Sequence, residues 1–337
     1  MIEEKEIQVI LKKALINDQF QNITELKGGA NNRAYRIDLE NQKFLLKYYF
    51  KDNFDLRNRL KVEFNFLKFA WKNNIKYIPE PIYCDEKNNI GIYSYIAGRN
   101  AILSDVNDKN IQAVINFFLS LNLNRQRALD LPKASEGCFS IQEYLNIIEK
   151  RIQNLIQVEE KHVHFKDFLA KELIPFWKKL KENTIKKANE LNFLVDSKLS
   201  IDELCITPSD FGFHNILIKN NRPFFIDFEY AGWDDPAKTI SDFFCQPKIP
   251  IPMKYFEYFM NSVINNFGTP EKLINRIYLV FPLCKIKWCC ILLNSFINTG
   301  KNRRFFANAE ELKEEQIIKS KTLLDEIIHH YSSFRFF

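Results

Sequence analysis

Charged and apolar residues recur at helical spacing over Glu3–Ile16, which predicts an amphipathic first helix. Three strand-like runs follow at Gln21–Lys27, Arg33–Leu39 and Lys43–Phe50, joined by KGGANN and ENQ. Those connections are turn-like, so the runs read as an antiparallel meander. Helical period returns over Asp55–Trp71, where Leu60, Phe64, Leu67 and Trp71 fall near one face. Two further strands are expected near Ile82–Cys84 and Ile90–Ile96, and IAGRN then breaks the pattern.

From Ser104 onward the period is helical. Helices are expected over Asp105–Leu123, Ser140–Gln157 and Phe165–Asn192, the last bent or interrupted at Pro175. One strand pair intervenes, Ile216–Lys219 with Pro223–Phe228 across NNR, and beyond Pro236 the helices resume. There is no internal repeat and no linker rich in Gly, Ser or Pro. The expected class is α+β: a small β-rich lobe over residues 1–97 and a large, mainly helical lobe over residues 98–337.

Composition narrows the function. With 46% hydrophobic and 27% charged residues, the chain reads as a soluble, globular protein. The net charge of +6 is scattered and forms no dense basic run, so no nucleic-acid partner is expected. The seven cysteines form no CxxC pair, and Cys289 and Cys290 sit in an apolar run. That suits reduced thiols in a reducing compartment, hence a cytoplasmic protein. His162 with His164, and His329 with His330, lack companion ligands at metal spacing, so zinc is not expected. The N-terminus begins acidic, unlike a secretory signal, and no run approaches the ~18 uncharged apolar residues of a membrane span.

Candidate chemistry concentrates in TPSDFGFHNIL and FFIDFEY. Phosphoryl transfer from a nucleotide requires phosphates and metal ions held in place and a hydroxyl oriented by a carboxylate. Asp210 can accept the hydroxyl hydrogen bond. Asn215, five residues on, and Asp227, past the hairpin, offer hard oxygen donors suited to Mg2+. Each alone also fits a turn or a helix cap; together they point to one phosphoryl-transfer centre.

The stretch SDFGFHNIL…FFIDFEYAGWDDPAK resembles the catalytic loop and metal-binding segment of the aminoglycoside phosphotransferase/choline kinase family, relatives of protein kinases. The match is strong over Ser209–Pro236 and extends by element order over Ile23–Phe244. Against a family form close to HGDLHPGNIL, Pro208 stands where a histidine is usual and Ser209 where a glycine is. FGFHN replaces LHPGN, with His214 one place before Asn215.

The resemblance implies a bilobal protein-kinase-like fold using ATP and Mg2+ on a small-molecule hydroxyl acceptor such as a sugar, polyol, amino alcohol or aminoglycoside-like compound. It implies that LKGGANNRAYRI, with Gly28, Gly29 and Asn32, covers the ATP phosphates, although the same stretch reads as an ordinary hairpin turn. Lys47 is expected to pair with the phosphates, in preference to Lys43 and Lys51 at the strand ends, and Glu63 to orient it. Ser94, Tyr95 and Ile96 are expected to meet the adenine edge. Trp233, Asp234, Asp235 and Pro236 should brace the segment after Asp227, and Asp242 is a cap or anchor. Asn294, Arg303 and Arg304 are acceptor-site candidates. From Ile251 onward cations outnumber acids, which argues weakly against a polycationic acceptor. A pseudokinase that binds nucleotide or acts as a scaffold is the competing reading. The absence of an APE segment disfavours a protein kinase.

Overall fold

The structure, a computed structural model, describes residues 4–16, 18–26, 32–51, 57–158, 162–297 and 313–331. The chain divides into two compact units. Of the described residues, the first comprises those within 1–100 and 216–230, and the second the others.

In the first unit, β1 (Phe20–Leu26), β2 (Asn32–Leu39), β3 (Lys43–Tyr49), β4 (Pro81–Asp85) and β5 (Ile90–Ser94) form an antiparallel sheet in the order β1-β2-β3-β5-β4. The expected meander is its first half. Helix α1 (Glu4–Lys13) buries Ile7, Ile10 and Leu11 against Tyr35, Ile37, Leu46, Ile90 and Ile92. Helix α2 (Arg59–Lys72), capped by Asn58, contacts β4 and β5 and buries Leu60, Glu63, Phe66 and Leu67.

Residues 216–230 join this unit through specific pairings. The hairpin of β8 (Ile216–Lys219) and β9 (Arg222–Phe225) adds a two-residue strand, β6 (Arg99–Asn100), to its edge. The Phe225 N–H donates to Tyr77 O at 2.8 Å, and Phe228 stacks on Phe66 at 4.7 Å. The strand expected to reach Phe228 ends at Phe225. Asp227 turns the chain with φ +68°, a left-handed conformation that a continuing strand cannot contain.

The second unit is built around α9 (Pro270–Leu292), which packs on α7 (Pro236–Cys245), α4 (Ile141–Ile156), α6 (Ile174–Glu190) and the C-terminal helix α10 (Lys313–Tyr331). Extended through Phe296, α9 is long and apolar enough to cross a membrane, yet 67% of its most apolar window is buried within the fold. Helices α3 (Asp108–Leu123) and α8 (Phe256–Val263) pack on each other. Helix α5 (Val163–Phe168) continues into α6 through a π-helical turn at Leu169–Leu173. That turn is the interruption expected at Pro175, whose ring excludes the carbonyl four residues back.

Two three-residue strands, β7 (Cys205–Thr207) and β10 (Gly232–Asp234), pair across the second unit. Neither was expected, because strands this short are held by distant partners and carry no periodicity of their own. A cluster of rings from Phe118, Phe211, Phe243, Phe244, Phe259 and Phe267 fills the interior nearby, and it absorbs part of the chain's 31 phenylalanines.

Candidate functional site

Lys47 occupies the inner part of β3, directly across the ladder from Ala34 and Gly91. Directly opposed residues project to the same face, so its stem has the smallest available neighbours. Its ammonium group donates to both Glu63 oxygens at 2.9 and 3.0 Å and to Asp227 Oδ1 at 2.9 Å. Burial opposes the Lys47 charge, but the carboxylates of Asp227, Glu63 and Glu229 outweigh it and raise the pKa. Lys43 is half-exposed and, among the described residues, its ammonium group reaches only Asp38, at 3.5 Å, while Lys51 is exposed. The sequence's choice among the three lysines thus coincides with the one built into a carboxylate cluster.

Glu63 is 2% exposed and accepts from several donors at once. Besides Lys47, these are Tyr49 Oη at 2.5 Å and the Phe228 N–H at 3.3 Å. Tyr49 in turn meets Tyr93 Oη at 2.9 Å. Asp227 is held through one oxygen only; among the described residues its second oxygen has no protein partner, and a third of the side chain is exposed. Its left-handed backbone is strain of the kind that functional sites retain.

Glu229, which the sequence reading left out, joins this cluster. It accepts from Asn32 Nδ2 at 3.2 Å and lies 3.9 Å from Arg59 Nε. Burial, and then repulsion from Asp227, push its carboxyl up to about 7, against an ordinary 4.5. The available signal was the second acid two places after Asp227 in DFE. Because the folded state holds this proton more tightly than the unfolded chain, the group's stabilising contribution is complete below pH 4.5. It is lost as pH rises towards 7, and the whole swing is roughly 3 kcal/mol. All five histidines lie outside the first unit, so no imidazole there titrates in the same window. Urea denaturation of wild type and Glu229→Gln from pH 4.5 to 8 should show the variant lacking this falling component. Parallel profiles would refute the assignment.

At the end of β5, the Ser94 N–H donates to Glu80 O and the Tyr95 N–H to Lys43 O. Of the three residues expected to meet adenine, only Ile96 keeps an N–H with no partner among the described residues. Gly28 and Gly29 lie outside the described residues, as do Arg303 and Arg304.

In the second unit, the loop after β7 carries Asp210, which is held on several sides. Ser209 adopts φ +69°, donates its N–H to Thr207 Oγ1 and donates its hydroxyl to Ser135 O at 3.3 Å. Phe211 and Phe213 bury their rings beside Phe243, at 5.3 and 6.2 Å. Asn215 Nδ2 donates to Asp210 O at 2.9 Å, and its amide oxygen has no partner among the described residues. His214 Nε2 meets Asp210 Oδ1 at 3.0 Å. Burial disfavours the Asp210 charge, but the His214 hydrogen bond outweighs it and holds the carboxyl below its usual range.

The segment after Asp227 is braced as expected. Asp234 accepts from the Cys138 N–H and from Lys238. Asp235 caps α7 and binds Arg276 Nε at 2.9 and 3.1 Å and Tyr144 Oη at 2.9 Å. Asp242 is an anchor: it binds Lys238 and Lys287 and accepts from Trp288 Nε1. Asn294 lies half-buried in the 3-10 turn that ends α9.

A buried lysine–glutamate pair beside a strained aspartate suits anionic phosphates. An aspartate about a third exposed, fixed through one oxygen, suits a hydroxyl. Among the described residues no group of three His, Cys, Asp or Glu forms a complete metal cage. Mg2+ does not require one, because it is commonly held by one or two carboxylates together with substrate phosphates. Asp227 in the first unit and Asn215 in the second each offer an oxygen that has no partner among the described residues and has the hardness Mg2+ favours.

Comparisons with known proteins bear on the family and the fold. The model of the phosphotransferase enzyme family matches residues 22–238. No curated protein sequence matches the chain. Among solved structures, choline kinase from Cryptosporidium parvum Iowa II superposes with a TM-score of 0.62 at 15% identity, covering 97% of both chains. Spectinomycin phosphotransferase in complex with ADP and spectinomycin gives 0.62 at 13% identity, covering 96% of this chain and 97% of that one. Amicoumacin kinase in complex with AMP-PNP and Ca2+ gives 0.57 at 14%, covering 96% of each. At these identities the likeness establishes the kinase-like α+β fold.

Proposed function

Since the chain belongs to the phosphotransferase enzyme family, we propose that it transfers the γ-phosphoryl group of ATP to a hydroxyl of a small molecule with the aid of Mg2+. The observation that carries this reading is the Lys47–Glu63 pair extended to Asp227. The triad supplies one fixed cation and one carboxylate with a free oxygen, a donor arrangement suited to a metal-bound triphosphate.

Lys47 neutralises phosphate charge, and Glu63 keeps it extended. Asp227 in the first unit and Asn215 in the second each present a hard oxygen of the kind that would hold Mg2+, which would neutralise charge on the transferring phosphoryl group. Asp210 accepts the hydrogen bond of the acceptor hydroxyl and takes its proton as the new P–O bond forms. The bond between the γ-phosphorus and the bridging oxygen breaks, and ADP leaves with the electron pair. The Ile96 N–H is the adenine-edge donor.

Several carboxylates of the second unit are already paired with cations, which disfavours a polycationic acceptor at them. Glu136 is paired with Arg151, Glu143 with Lys133, Asp235 with Arg276, and Asp234 and Asp242 with lysines. An open pocket of about 340 Å³ is lined by Lys133, Glu136, Glu143 and Asn146, and the Glu136 and Glu143 in it are already neutralised. Sugars, polyols and mono-cationic amino alcohols are therefore favoured over aminoglycosides. The seven unpaired thiols support a reducing, cytoplasmic setting.

The test is ADP release from Mg2+-ATP against a panel of sugars, polyols, choline, ethanolamine and aminoglycosides. Stimulation by one neutral or mono-cationic class is expected. A protein that binds Mg2+-ATP but turns it over with no member of the panel would instead fit a nucleotide-binding scaffold.

A further inference from the structure

Pro208 leaves the catalytic loop without the histidine usual two places before the aspartate, yet the loop has an imidazole on that aspartate. We propose that His214 is the positioning residue for Asp210, and that Gly212 is the space that admits its ring. The inference rests on the phosphotransferase reading and identifies what fixes the carboxylate of that site.

Three observations carry it. First, His214 Nε2 lies 3.0 Å from Asp210 Oδ1, and the imidazole is only 7% exposed. An ionised carboxylate has no proton to give, so the ring donates through Nε2. One oxygen of Asp210 is thereby tied down, and Oδ2 is turned over to the acceptor hydroxyl.

Second, the ring has been fitted at a cost. Its Nδ1 is buried with no hydrogen-bond partner among the described residues. A structural histidine in a core ordinarily satisfies both nitrogens. Here one nitrogen is left unpaired and the other is committed to Asp210.

Third, the loop is cut to the ring. A Cβ at position 212 would stand 2.7 Å from His214 Nδ1 and 2.8 Å from its Cε1, closer than carbon atoms pack. Gly212 has no positive φ to account for it, so close approach by the imidazole is the reason for glycine there. His214 also sits on the 3-10 turn Phe213–Asn215, so the element that presents Asn215 also orients Asp210. Two departures from the usual loop sequence, glycine at 212 and histidine at 214, are thus one device.

The experiment has two arms. In the first, the ring N–H signals of 15N-histidine-labelled protein are recorded by NMR. A slowly exchanging His214 Nε2–H is expected in wild type and should be lost in Asp210→Ala; a solvent-exchanged proton in wild type would overturn the proposal. In the second arm, Mg2+-ATP turnover is measured with water as acceptor. His214→Leu should lower kcat about 10- to 100-fold, the scale of a charge-assisted hydrogen bond, with KM for ATP within about twofold. His214→Gln, which keeps a donor at the same reach, should recover most of the loss, and Gly212→Ala should resemble His214→Leu.

An unchanged kcat in His214→Leu, or a loss shared by His214→Gln, would overturn the positioning role. Thermal unfolding of each variant separates a collapsed fold from a misplaced carboxylate. Wild type without any turnover would count against the phosphotransferase reading, and the NMR arm would then decide the Asp210–His214 contact by itself.

Discussion

Asp210→Asn is expected to cut phosphoryl transfer by about 10²-fold or more, the scale of a positioned acid–base group, while Mg2+-ATP binds nearly as well as to wild type. The Asp210 carboxylate is held within its own loop by His214, and its backbone oxygen by Asn215. An asparagine keeps the size and still accepts from His214, but it cannot take the hydroxyl proton. Asp227→Asn should show the opposite division. It removes one charge facing Lys47 and the oxygen offered to the metal, so Mg2+-dependent nucleotide affinity should weaken along with turnover. Calorimetry with Mg2+-ATP, and ADP release with a responsive acceptor, separate the two effects. If Asp210→Asn lost affinity while Asp227→Asn kept it, the assigned roles would be exchanged. If neither slowed turnover, the phosphotransferase reading would fail.

The residues proposed for these roles were legible where the pattern depends on spacing along the chain. Asp210 and Asn215 are five residues apart on one loop, and Lys47 and Glu63 each fall inside a strongly patterned element. What was not legible depends on contacts across the chain. His214 read as a departure from the usual loop, because nothing in the sequence reports that Gly212 clears room for a ring. Glu229 read as one more charge after a strand. Its character comes from burial beside Asp227 with Asn32 and Arg59, residues about 170 to 200 positions earlier. The strand expected to run through Asp227 stops at Phe225 because the backbone turns left-handed, which alternation of residue types cannot signal.

The cluster around Lys47 also explains why its loss should be costly before any nucleotide binds. Lys47 is the ammonium group that Glu63 and Asp227 share, and its charge also bears on Glu229. Removing one partner of a buried ion pair leaves an uncompensated charge, typically a loss of 3–5 kcal/mol, so Lys47→Ala should be destabilised by about that much. The penalty should grow with pH. Below pH 4.5 Glu229 carries its proton and the cluster repels itself least; as pH rises towards 7 that proton leaves, and with Lys47 gone Arg59 must answer it without the ammonium group. Lys43→Ala, which removes a half-exposed lysine 3.5 Å from Asp38, should change stability by about 0–1 kcal/mol at any pH. The same pair of variants should divide on ATP use, with Lys47→Ala reduced far more. Urea midpoints at pH 5 and 8, together with ADP release at saturating Mg2+-ATP, test both expectations. Equal behaviour of the two variants would remove Lys47 from the phosphate-binding role and leave the Glu63 contact as packing alone.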